Sequence, residues 1–263
     1  MCRLSPVLLA LAALVASGSL VPGQEGDAKP PAGDADGENW SVLFDGTSLE
    51  NWEETNFGGG AAVEIEDGAM VLPFGNNLTG VTLAGEPAKT LPKTDYVIEL
   101  DARRVTGSDF FCGLTLPVPS HPDGADSPAE ASHATVILGG WGGGLVGISS
   151  IDGFDASKNA STTFRRFENG RWYRLRVAVT DRSVAATLDG EPLFAVDIDG
   201  KTVSMRSETN PSRPLGIATF LTTGAVKDVR VRPLNEDEVA ATDAAVTRIE
   251  TRGEAGGPAE LPG

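Results

Sequence analysis

The chain has 263 residues, 37 acidic against 21 basic side chains for a formal net charge of −16, and 40% hydrophobic but only 6% aromatic residues. That balance argues against nucleic acid and anionic membrane surfaces as partners. With one of its two cysteines at position 2, ahead of an apolar leader, and only two histidines, the chain offers neither a disulfide framework nor enough ligands for a classical zinc site.

Residues 1–23 show one basic residue, an apolar run from Val7 to Ala16 and then small residues suited to cleavage. The run is far shorter than the roughly 20 residues a bilayer requires, so it predicts a secretory signal peptide and no membrane span. Export to a periplasmic or extracellular setting follows. Cys2 precedes the apolar run, which argues against lipidation, and once the leader is removed Cys112 is the sole thiol. Residues 24–38, rich in Gly, Pro and charge with nothing apolar larger than Ala, read as a flexible linker.

Residues 39–234 carry repeated strand signals and almost no helix signals, the pattern of an antiparallel all-β sandwich in one domain. Ala62–Glu66 and Ala69–Phe74 flank the turn pair Asp67-Gly68. Thr94–Arg104 alternates, with Tyr96, Ile98, Leu100 and Ala102 on one face and Val97, Glu99, Asp101 and Arg103 on the other. Phe110–Leu116 follows, where the alternation of Phe110, Cys112 and Leu114 predicts a buried, inert cysteine. Pro117–Ala131, with its prolines and acids, reads as a long surface loop. Ala134–Leu138 and Leu145–Ile148 meet across GGWGGG, a glycine-rich turn that presents Trp141 either as a packing plug or as a platform for a sugar. Arg171–Thr180 and Val184–Leu188 form a hairpin, Asp189-Gly190 turns into Pro192–Ile198, and Leu215–Leu221 pairs with Val226–Leu234 across Thr223-Gly224. Trp52 and Trp172 read as core. In residues 235–263, Asn235 is placed to cap a short amphipathic helix through Val239, Val246 and Ile249, followed by a disordered tail.

Several of these motifs occur together in a recognisable order. VLFDGTSLENW (42–52), VEIEDGAMV (63–71), TDYVIELDARR (94–104), GRWYRLRVAV (170–179), TLDGEPLFAVD (187–197), PLGIATF (214–220) and VKDVRVRPL (226–234) resemble, in sequence and spacing, the 3-keto-disaccharide hydrolase domain family. The resemblance covers roughly Trp40 to Leu234. It implies a concanavalin A-like jelly roll of two curved antiparallel sheets, and a saccharide or oxidised glycoside as partner. The implied chemistry begins with a ketone at C3 that acidifies the proton on C2. A base removes that proton, the C1 substituent is eliminated and water adds back, so the site needs a base near C2 and a metal or hydrogen-bond donor on the ketone oxygen.

Candidate residues follow from these demands. His133 is the first candidate base because imidazole titrates near neutrality and it opens the strand leading to Trp141. Glu99 and Asp101 are the candidate catalytic carboxylates, sharing a strand face with Arg103; on a concave sheet they would meet sugar hydroxyls, and on an outward one they would only solubilise. His133 and at least one of these three are expected to share a hollow with Trp141 at its rim. Trp141, Arg103, Asp109, Arg206 and Glu208 are the candidate substrate contacts. Asp152, Asp155 and Asn159 supply oxygen donors of the kind calcium prefers, or an ordinary solvated turn. A lectin-like domain that binds a glycan without turnover is the competing reading.

Overall fold

The computed structural model describes residues 39–120 and 130–255. The expected signal peptide and linker (1–38), the middle of the expected loop (121–129) and residues 256–263 lie outside the described residues. In chain order the strands are β1 (Ser41–Phe44), β2 (Trp52–Glu54), β3 (Glu64–Glu66), β4 (Ala69–Leu72), β5 (Leu78–Leu83), β6 (Tyr96–Gly107), β7 (Cys112–Ser120) and β8 (Glu130–Gly139). Then come β9 (Leu145–Ser149), β10 (Thr163–Phe164), β11 (Trp172–Val179), β12 (Ser183–Leu188), β13 (Glu191–Asp197), β14 (Gly216–Phe220) and β15 (Thr222–Pro233). A helix over Glu236–Ala255 closes the described chain.

The strands form the expected sandwich of two antiparallel sheets. The first runs β13-β12-β11-β6-β15-β4-β3, with β1 also pairing to β15, and the second runs β10-β9-β8-β7-β14-β5-β2. Alternation decides what lies between them. Tyr96, Ile98, Leu100 and Ala102 of β6, Tyr173, Leu175 and Val177 of β11, Leu114 and Leu116 of β7, and Val136 and Leu138 of β8 share one buried core. Burying these side chains is the dominant stabilising term, at about 1.5–3 kcal/mol for each large apolar group. Cys112 is fully buried there, and burial pushes its thiol up to about 12. Two expected turns place positive φ where Asp-Gly tolerates it: Asp67 (49°) with Gly68 (77°), and Asp189 (52°) with Gly190 (83°).

Some connections differ from expectation. Leu215–Leu221 and Val226–Leu234 do not pair: β14 belongs to the second sheet and β15 to the first. The chain crosses between sheets at Leu221, whose φ is 47°, and Thr223 and Gly224 lie inside β15. Pro117–Ser120 and Glu130–Ala131 extend β7 and β8 rather than forming loop, because their backbones pair to the ends of those strands. Trp172 is not core; it lies on the outer face of the first sheet, with the Arg103 guanidinium 4.4 Å from its ring centre and the Lys227 ammonium 4.9 Å from it. Trp52 is buried and donates its indole N–H to the Leu43 carbonyl at 2.9 Å. The C-terminal helix begins with a reciprocal cap: the Glu238 N–H donates to Asn235 Oδ1 (2.9 Å) and the Asn235 N–H to Glu238 Oε2 (3.0 Å).

Candidate functional site

The outer face of the second sheet carries a cleft of about 280 Å³, and strand register explains its floor. Since Val136 and Leu138 point into the core, Thr135 and Ile137 point outward. Thr135 stands opposite Ser149 on β9 and opposite Thr115 on β7, giving a row of hydroxyls across three strands. The next row sets Ile137 beside Gly113, and Gly113 beside Ala218. With no side chain at Gly113 there is room for the Phe110 ring, whose Cε2 lies 3.1 Å from where a Cβ would stand. Beyond that row the surface is apolar: Phe220 opposes Leu78, and the Phe110 and Phe220 rings stack with centres 5.7 Å apart.

The two ends of the strands supply different walls. Past the ends of β8 and β9 remote from Ser149, the Gly140–Gly143 turn lifts Trp141 to the rim, 46% exposed and in a left-handed conformation (φ 48°, ψ 54°). Two groups pin that turn. The buried Arg104 guanidinium donates to the Gly143 carbonyl at 3.1 Å, and Asp109 Oδ2 accepts from the Gly142 N–H at 3.3 Å. At the Ser149 end, Ser150 and Ser204 exchange backbone hydrogen bonds, which brings Arg206, Glu208 and Thr209 to the cleft. Arg206 Nε donates to Glu208 Oε1 at 2.8 Å, and Arg206 also stands 3.8 Å from Asp155 Oδ2. A backbone N–H and the Arg206 guanidinium hold the Glu208 carboxyl below its ordinary range. Of the cleft hydroxyls, Thr135 bonds Thr115 and Thr209 bonds the Arg206 carbonyl, whereas Ser149 Oγ is buried without a hydrogen-bond partner among the described residues.

Thus Trp141, Asp109, Arg206 and Glu208 meet at one cleft, and the other candidates do not join them. Glu99, Asp101 and Arg103 lie on β6 in the first sheet, so the expected common hollow with His133 is not formed. Glu99 is bound by Arg176 (2.6 Å) and Arg230 (2.6 Å), and Asp101 by Arg174 (2.8 Å), an ion network on the opposite side of the sandwich. His133 projects from β8 on the same outer face as Thr135 but is not among the residues lining the cleft. Burial, with Arg213 and Lys93 nearby, pushes its imidazole down to about 4, so it is neutral at pH 7.

Asp152, Asp155 and Asn159 build turns. Asp152 Oδ1 accepts from the Thr202 N–H, and Asp155 Oδ1 from the Ser157 N–H. The Asn159 amide donates to the Ile148, Phe154 and Asp155 carbonyls while its Oδ1 accepts from Ser161, so its polar atoms are already committed to the protein. Among the described residues no group of three His, Cys, Asp or Glu side chains converges to hold a metal ion. Sequence reading missed Phe110, Phe220, Leu78 and Ser149 as cleft residues. Outward alternation opposite a core row was the available signal for Phe220 and Ser149; Leu78 and Phe110 depend on register.

The model of the 3-keto-alpha-glucoside-1,2-lyase-like domain matches residues 39–232. Among solved structures the chain is similar to the Crh5 transglycosylase in complex with NAG, at 11% identity with 74% of this chain and 84% of that one covered and a TM-score of 0.48. It is also similar to the globular domain of T. cruzi calreticulin, at 11% identity with 82% and 97% covered and a TM-score of 0.42. A curated relative, Calmodulin-binding transcription activator homolog 1 of Caenorhabditis elegans, is 29% identical over 136 residues, which is 51% of this chain and spans 11% of that protein's length.

Proposed function

Because this chain belongs to the 3-keto-alpha-glucoside-1,2-lyase-like domain family, we propose that its cleft takes a glycoside oxidised at C3 and releases the substituent at C1. The observation that carries this reading is the Arg206–Glu208 pair at a cleft that also offers an exposed tryptophan and apolar surface. Removing a proton from C2 leaves negative charge on the neighbouring C3 oxygen, so base and cation must sit side by side. Glu208 takes the C2 proton, and the electron pair passes to the C3 oxygen beside the Arg206 guanidinium. The enolate then re-forms the ketone, a C1–C2 double bond forms and the C1–O bond breaks. The departing oxygen takes the proton back from Glu208, and water adds across C1 and C2 to give the free keto sugar. A carboxylate held low by Arg206 is a weak base, and stabilisation of the enolate by the same guanidinium offsets that weakness. The apolar run Val7–Ala16 supports export of this activity.

Saccharide binding without turnover is the second reading, favoured by Asp109 and Glu208 both being engaged already and by Trp141 standing proud of the rim. One assay separates the two: the purified chain is incubated with a 3-keto-glucoside and with the unoxidised glucoside, and aglycone release is followed. Release from the oxidised compound alone supports the enzyme. Equal inertness toward both, with divalent metals supplied, leaves the binding reading.

A further inference from the structure

The cleft is divided by polarity along its strands, and this division orients a ligand. At the Ser149 end lie the hydroxyl row and the Arg206–Glu208 wall; four residues further along the strand direction, about 13 Å at the rise of a β-strand, lie Phe220 and Leu78, with the Phe110 ring stacked on Phe220 and Trp141 at the rim. A sugar brings hydroxyls on every edge, and burying them against Phe220 and Leu78 would leave them without partners, at a cost of about 1–3 kcal/mol each. An apolar ring placed at the Ser149 end would fail in the opposite way, stripping water from the half-exposed Arg206 and Glu208 side chains without replacing it. Ser149 lies beside them: it is 2% exposed, lines the cleft and its Oγ has no hydrogen-bond partner among the described residues, whereas the neighbouring threonine hydroxyls are bonded.

We infer that the cleft is an oriented two-part site in which the sugar ring lies against Ser149, Thr135 and the Arg206–Glu208 wall, and an apolar, preferably aryl, aglycone lies on the Phe110–Phe220 stack beneath Trp141. The inference rests on the proposed glycoside function and narrows it: the preferred substrates are aryl glycosides rather than disaccharides, whose second ring would set hydroxyls against the aromatic wall. The aromatic wall needs no specific hydrogen bond to hold such a group.

The test uses binding, so that it stands apart from turnover. The full chain is titrated calorimetrically with phenyl β-glucoside, methyl β-glucoside and cellobiose, none of which carries the 3-keto group. Phenyl β-glucoside should bind at least about tenfold tighter than either of the others, the scale expected for burying one aromatic ring in an apolar pocket. In Phe220→Ala that preference should shrink toward unity, and Ser149→Ala should weaken all glucosides together. Because Phe220 is only half-buried, Phe220→Leu provides a second variant should the alanine form fold poorly, and it should give an intermediate preference. Equal affinities for phenyl and methyl glucosides, tighter binding of cellobiose, or no binding of any of the three would overturn the inference. A failure of the glycoside-cleaving reading looks different: the aryl preference persists while 3-keto-glucosides remain intact.

Discussion

Arg206 Nε and Glu208 Oε1 are 2.8 Å apart, and each side chain keeps about half its surface exposed (50% and 49%). The pair is therefore held in place yet open to a ligand. Exposed ion pairs add little to stability, typically under about 1 kcal/mol, so Glu208→Gln should leave unfolding by urea almost unchanged. If Glu208 is the base, the same substitution should lower release from a 3-keto-glucoside by at least about a hundredfold. Near-wild-type turnover in Glu208→Gln would remove it from the chemistry.

Gly113 gives a second prediction. Since a Cβ there would stand 3.1 Å from the Phe110 ring, Gly113→Ala should push that ring toward the cleft and weaken glycoside binding severalfold, with a stability loss of about 1–3 kcal/mol from overpacking. Calorimetry with phenyl β-glucoside and a urea melt read the two effects separately. Unchanged affinity would mean that Phe110 is not part of the binding surface.

His133 makes stability depend on pH. Its folded value, about 4, lies below the ordinary 6.5, so between these values the unfolded chain binds the extra proton. The contribution is fully present above about pH 6.5 and is lost as pH falls toward 4, because protonation then favours unfolding. The melting temperature should drop across that window, and His133→Gln should flatten the drop. An identical pH profile in the variant would show that the imidazole does not titrate as its surroundings dictate.

Glu238 fastens the C-terminal helix to the first sheet. Its carboxylate binds Arg232 at 2.6 and 2.8 Å and Arg176 at 3.3 Å, and these contacts push it down to about 2. Glu238→Gln removes the charge opposite Arg232, which is only 6% exposed, so it should destabilise the protein by about 2–3 kcal/mol. With the wild-type carboxylate, this contribution is complete above about pH 4.5 and fades as pH falls through about 2. Hydrogen exchange over Glu236–Val246 should accelerate in the variant before that of β6 does.

What could be read from the sequence was local. The Asp67-Gly68 and Asp189-Gly190 turns announce themselves because few residue pairs accept two successive positive φ angles, and the β6 alternation separates core from surface residue by residue. Alternation cannot say which sheet a strand joins. Sequence alone therefore groups Glu99, Asp101 and Arg103 with His133, although they face outward on the far side of the sandwich. The same limit hid β5, whose outward positions include Gly80 and so give no alternating pattern. Trp141, Asp109, Arg206 and Glu208 were accessible to sequence reading because polar or aromatic residues at loop positions stand out. Ser149 did not, since a buried hydroxyl looks like any other strand serine until its missing partner is seen.

Cys112 turns the sandwich into its own clock. Its thiol is shielded on both sides by the packed sheets, and burial keeps it protonated far above neutral pH, so a thiol-reactive dye can reach it only when the two sheets separate. In a Cys2→Ser background, the labelling rate at a fixed dye concentration would follow the opening of the domain one molecule at a time, with no probe added to the cleft. A ligand that clamps the second sheet would then register as slower labelling some distance from where it binds.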